Sequence, residues 1–146
     1  MVSASIIEIG YFNLMKMKLL MITLLALASL SCVKESSILN NLTGKWDWVS
    51  STGGIAGITY TPKSTGVKKV IEFTIDSVFR YYQKDTLTYE TKYHILKSKS
   101  IYSQDSTFLI SFDNHSIRQS YILKNDTLFL NDECYDCFGS TYVRIR

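Results

Sequence analysis

An excess of one charge is missing from this chain. It carries 16 Lys+Arg against 13 Asp+Glu over 146 residues, a formal net charge of +3. Lys16, Lys18 and Glu8 fall within the first 31 residues. Residues 32–146 are near neutral and have no electrostatic footprint for nucleic acid. A long apolar run is missing too: residues 19–30 are uncharged and apolar, short of the about 20 residues that a bilayer-spanning helix needs. Histidine is limited to His94 and His115. His94 falls on the polar side of its segment and His115 at a turn, and neither has a Ser or Cys nucleophile at a recognisable spacing. No catalytic constellation emerges, and an enzyme is not expected. Gly53-Gly54-x-x-Gly57 does not lead into a helix pattern, so no phosphate cradle is formed. Outside residues 33–41, apolar residues at helical spacing are also lacking.

The chain does have a leader. Lys16 and Lys18 precede the apolar run, and Ala28, Ser29 and Ser31 precede Cys32. A charged start, an apolar core, small residues and then cysteine is the order of a bacterial lipoprotein signal. It predicts removal of residues 1–31 and acylation of Cys32. One acyl chain binds a membrane marginally, whereas two or three anchor it stably. Residues 1–14 fit no part of that signal, and Met15 or Met17 is the expected true start. Residues 32–41 read as anchor and tether, and residues 42–146 as one domain.

That domain has the composition and the period of strands. Aromatics make up 13% of the chain, ten of them tyrosines, and Tyr, Phe, Ile, Val and Thr favour strands. Alternation marks eight segments: 45–50, 67–75, 78–83, 86–96, 107–112, 116–123, 127–130 and 140–145. Between the first two, residues 51–66 read as a long loop holding the single proline, Pro62. Lys84-Asp85, Asp113-Asn114 and Lys124-Asn125-Asp126 read as turns. Short turns give antiparallel neighbours. Eight strands in that order predict an all-β, up-and-down barrel, since closure leaves no exposed edge. In the last segment Thr141, Val143 and Ile145 alternate with Tyr142, Arg144 and Arg146. Taking the apolar set as inward turns Arg144 away from the core.

Gly44-Lys45-Trp46, glycine and tryptophan opening the first strand, resembles the lipocalin signature. With its leader, the whole chain resembles the small lipocalin-like lipoproteins of Bacteroidota, including the loop 53–57. The resemblance implies that Trp46 plugs one barrel end and that Arg144 packs on its ring. It also implies a lipid-anchored protein of the cell envelope, at the outer membrane, on its periplasmic face or at the cell surface. The chain is shorter than a typical lipocalin and lacks its C-terminal helix, which argues against a roomy cavity. An eight-stranded barrel has space for packed side chains or one small ligand. The candidate ligand-binding residues are the aromatic faces: Phe73, Phe79, Tyr81, Tyr89, Tyr93, Phe108 and Phe112. The alternative is a filled barrel that meets an envelope partner through its loops. No cofactor is implied.

Cys134-Tyr135-Asp136-Cys137 is a C-x-x-C. In an oxidising envelope it predicts a disulfide. The flanking Asp132, Glu133 and Asp136 would raise a thiol pKa, which disfavours a redox role. Neither histidine is near in sequence to complete a zinc site, and the acidic residues match no calcium loop. Metal is not expected.

Overall fold

The computed structural model describes residues 41–103 and 105–146. The leader, Cys32 and all of the tether except Asn41 lie outside the described residues.

Among the described residues, nine strands form one antiparallel sheet: β1 (Gly44–Gly53), β2 (Ile58–Tyr60), β3 (Lys69–Phe73), β4 (Val78–Gln83), β5 (Thr86–Lys99), β6 (Ser106–Phe112), β7 (His115–Lys124), β8 (Thr127–Asp132) and β9 (Phe138–Arg144). From β3 to β9 each strand pairs with the next, β3 pairs with β1, and β9 returns to β1. The eight strands other than β2 therefore close an up-and-down barrel. The closing seam runs from Trp46 opposite Arg144 to Gly53 opposite Phe138. Two-residue turns make the meander possible. Lys84 and Asp85 both take positive φ, at 51° and 62°, the pair of values that matches the twist of a tight hairpin.

The expected loop at 51–66 is mostly ordered secondary structure. β1 runs past residue 50 to Gly53 after a bulge between Trp48 and Ser50. It then pairs with β2, where the Thr52 and Thr59 hydroxyls are 2.9 Å apart. A single helical turn, α1 (Pro62–Thr65), comes next. Thr61 caps it by accepting from the Ser64 N–H, and Gly66 at φ +66° ends it. Alternation could not reveal β2, because all three of its residues are exposed.

Directly paired residues share a face. The register places Trp46, Ile71 and Tyr81 in one row, and Phe73 and Phe79 in the next. Trp48, Tyr142 and Leu128 form another on the same face. This face is the barrel interior. Trp46, Phe73, Tyr93, Ile71, Ile110 and Leu128 are fully buried. In β9 the inward set is Tyr142 and Arg144, while Val143 and Ile145 are about 40% exposed. The expected phase is therefore reversed. Two β-branched residues on the outer wall looked like core only because the true core residues at these positions carry polar atoms.

Candidate functional site

One end of the barrel is closed by a built plug. The Arg144 guanidinium carbon lies 4.0 Å from the centre of the fully buried Trp46 ring. Its Nη1 donates to the Thr43 carbonyl at 2.8 Å, and its Nε lies 3.8 Å from Asp126 Oδ1. The Trp46 indole N–H donates to the Leu42 carbonyl at 2.9 Å. A side chain on Gly44 would put its Cβ 2.7 Å from Arg144 Nη1. The glycine two residues before the tryptophan is thus the space in which the arginine lies.

The aromatic candidates mostly come together. Phe79 is the hub: its ring centre is 5.2 Å from Phe73, 4.9 Å from Phe112 and 6.5 Å from Tyr89. Tyr93 meets Phe73 edge-on at 5.1 Å. Such tilted pairs are the favoured aromatic geometry. Tyr81 pairs with Ile71 and Tyr89 on the same face. Phe108 lies opposite Lys97, two residues from the buried Ile110. Lys69 also points into the barrel, with Nζ 4.1 Å from the Trp48 ring centre.

Trp46, Phe73 and Tyr93 are fully buried, whereas Phe79, Tyr81 and Phe112 are only half-buried and Tyr89 is exposed. A cavity of about 150 Å³ opens among Phe79, Tyr89, Phe112, His115 and Gln119. Its walls come from β4 to β7, and none from residues 51–66. His115 and Gln119 were not among the sequence candidates. Alternation in the 116–123 strand puts Gln119 on one side with Tyr121 and Leu123, and its pairing with the buried Ile110 makes that side the inner one. Its Nε2 donates to Asp132 Oδ1 at 2.8 Å.

Two interior phenols are held neutral. Burial pushes both Tyr121 and Tyr142 up to about 12. The buried Tyr121 hydroxyl has no hydrogen-bond partner among the described residues. An unsatisfied buried hydroxyl costs about 1–3 kcal/mol. Tyr121→Phe is therefore expected to hold or raise the free energy of unfolding, by up to about 1 kcal/mol, and a clear loss in a urea melt would contradict this.

Cys134 and Cys137 are joined as a disulfide. Beside them, Glu133 accepts from the Ser100 hydroxyl at 2.8 Å and the Ile101 N–H at 2.7 Å. Burial pushes its carboxyl up, but the bonds from Ser120, Ile101 and Ser100 and the charge of Arg118 outweigh this and hold it below its ordinary value. A carboxyl held low in the folded state contributes stability above its unfolded value, about pH 4.3, and loses it as pH falls through the folded value. Between pH 6 and pH 3 the melting temperature of the wild type should therefore fall more steeply than that of Glu133→Gln. Parallel curves would assign the acid loss elsewhere.

His94 is exposed, 2.7 Å from Asp113 Oδ1. Among the described residues, no group of His, Cys, Asp or Glu is placed to hold a metal ion. A closed eight-stranded antiparallel barrel with a plugged end and an inward-facing aromatic cluster has the lipocalin-like architecture. No protein-family model matches the chain, and no curated protein matches it.

Proposed function

We propose that the chain is a lipid-anchored, non-catalytic binding protein of a bacterial envelope. It is held through Cys32 at the outer membrane and admits a small apolar or amphipathic ligand at the cavity beside Phe79. The carrying observation is that cavity: three aromatic rings with His115 and Gln119 at its margin, an apolar body with polar groups to orient a ligand. Its volume sets the ligand class. A 150 Å³ apolar cavity holds about one benzene-sized ring, so a single ring or the end of an acyl chain fits and a whole lipid does not. The charged, apolar, small-residue order before Cys32 supports the anchor, and the Cys134–Cys137 disulfide accords with an oxidising compartment.

A filled barrel that meets an envelope partner through its loops is the second reading. Ile55 and Tyr135 favour it, being 93% and 85% exposed. Native mass spectrometry after gentle purification separates the two. A small adduct lost in Phe79→Ala but retained in Ile55→Ser supports the cavity. A protein adduct lost in Ile55→Ser favours the loops. Growth with a clickable fatty acid tests the anchor separately: label on the wild type and none on Cys32→Ala is expected, and an unlabelled wild type ends the lipoprotein reading.

A further inference from the structure

A second concavity lies on the outer wall of the barrel, away from the aromatic cavity. β1, β9 and β8 floor it with two neighbouring register rows: Ser50, Thr141 and Phe129 in one, and Thr52, Gly139 and Asn131 in the other. These alternate with Tyr142, Leu128 and Leu130, which face inward, so they face out. Tyr102 also lines the groove. Its hydroxyl donates to the carbonyls of Asp132 and Cys134, at 3.0 and 3.1 Å, which fixes the ring beside the disulfide loop. The groove encloses about 470 Å³, within the range of small-molecule sites and well above one ring.

Its chemistry is specific. Among the described residues that line it, none is charged. The Asn131 amide and the hydroxyls of Ser50 and Thr141 make no described hydrogen bond, so both donors and acceptors are left to a ligand or to water. Phe129 and Tyr102 add two aromatic side chains to the lining. Glycine at 139 keeps the floor open: a Cβ there would lie 2.6 Å from Asn131 Oδ1 and displace the amide. Glu133 and Asp136 in the adjoining loop disfavour an anion. A ligand that fits must be neutral, must donate and accept along one edge, and must offer an apolar face to a ring. A pyranose does all three, because its hydroxyls lie around the rim and its C–H groups on the faces.

We infer that this groove binds a neutral pyranose sugar, one or two residues long, either free or at the end of a glycan. This is independent of the aromatic cavity. The test is saturation-transfer NMR on the full chain in a sugar-free detergent, with cellobiose, maltose and diacetylchitobiose as neutral probes and glucuronic acid as the charged one. At least one neutral probe is expected to saturate with a Kd of about 1 mM or tighter. Asn131→Ala should weaken it about tenfold. Thr141→Val, which keeps the shape of the side chain, should weaken it with the melting temperature unchanged. His115→Ala, at the aromatic cavity, should leave it unaltered, so the two sites fail separately. Retention of the wild type but not Asn131→Ala on an amylose or cellulose column extends the specificity to chain ends, and no retention confines it to free sugars. The inference is overturned if no neutral probe saturates, if glucuronic acid binds as well as they do, or if His115→Ala abolishes binding while Asn131→Ala does not.

Discussion

Trp46→Ala should cost about 3–5 kcal/mol, the range for truncating a large buried aromatic, against the 5–15 kcal/mol total typical of a domain. The reasons are local and separable. The ring is fully buried at the start of β1, its N–H satisfies the Leu42 carbonyl, and it is the surface on which Arg144 lies. Arg144→Ala should cost less. A desolvated arginine over a tryptophan face contributes about 2 kcal/mol, and its bond to the Thr43 carbonyl about 1 kcal/mol more. Because the two side chains touch, their losses should not add. A double-mutant cycle in denaturant is expected to give a coupling of about 0.5–3 kcal/mol. A coupling near zero would reduce Trp46 to ordinary core and leave Arg144 held by its other contacts, Thr43 and Asp126 among them.

Gly53→Ala should be the most damaging single-methyl change in the domain, at about 3 kcal/mol, the upper end for overpacking. A Cβ at this position would lie 2.2 Å from the Cys137 carbonyl oxygen, 2.7 Å from the Phe138 Cα and 2.9 Å from the Cys137 carbonyl carbon. All three are backbone atoms, so no rotamer change relieves the contact. The Cys134–Cys137 bridge limits the loop's freedom to withdraw. β1 and β9 would have to part where the barrel closes, opposite the Trp46 end. The variant's urea midpoint should fall, and faster hydrogen exchange should be concentrated in residues 51–53 and 138–140. Gly57→Ala is the control, since nothing lies within 4 Å of a Cβ there. It should cost only what its positive φ of 60° imposes. Gly53 is not among the glycines with positive φ, so a loss no larger than that of Gly57→Ala would show that the strands part at Cys137 with little cost and that the close approach does not make Gly53 necessary.

The architecture was legible because its determinants are local. Period-two alternation over residues 86–96 and 107–112, and turn pairs such as Lys84-Asp85, specify strands and their order without knowledge of partners. The features that stayed hidden depend on partners. The bulge between Trp48 and Ser50 shifts the phase of β1, and no residue type announces it. Tyr142 and Arg144 face inward because Trp48 and Trp46 stand opposite them, whereas hydropathy alone favours Val143 and Ile145. The Gly44-x-Trp46 pattern pointed to the right end of the barrel, but the reason for its glycine appears only once Arg144 is placed beside it. Site residues divide in the same way. The aromatics could be named from their strands, while His115, Gln119 and Asn131 owe their places to the strands next to them.

The seam between β1 and β9 also sets an order of events in time. It joins residues far apart in the chain: 89 positions separate Ser51 from Ser140, and 101 separate Thr43 from Arg144. The first strand to emerge during synthesis must wait for the last. Until then β1 has one open edge, the kind that recruits foreign strands. The meander pairings are between neighbours in sequence, so closing this one distant pairing is the step that carries the largest loop-closure cost. A chain halted before residue 138 cannot complete its sheet and would carry two unpaired edges into whatever surrounds it.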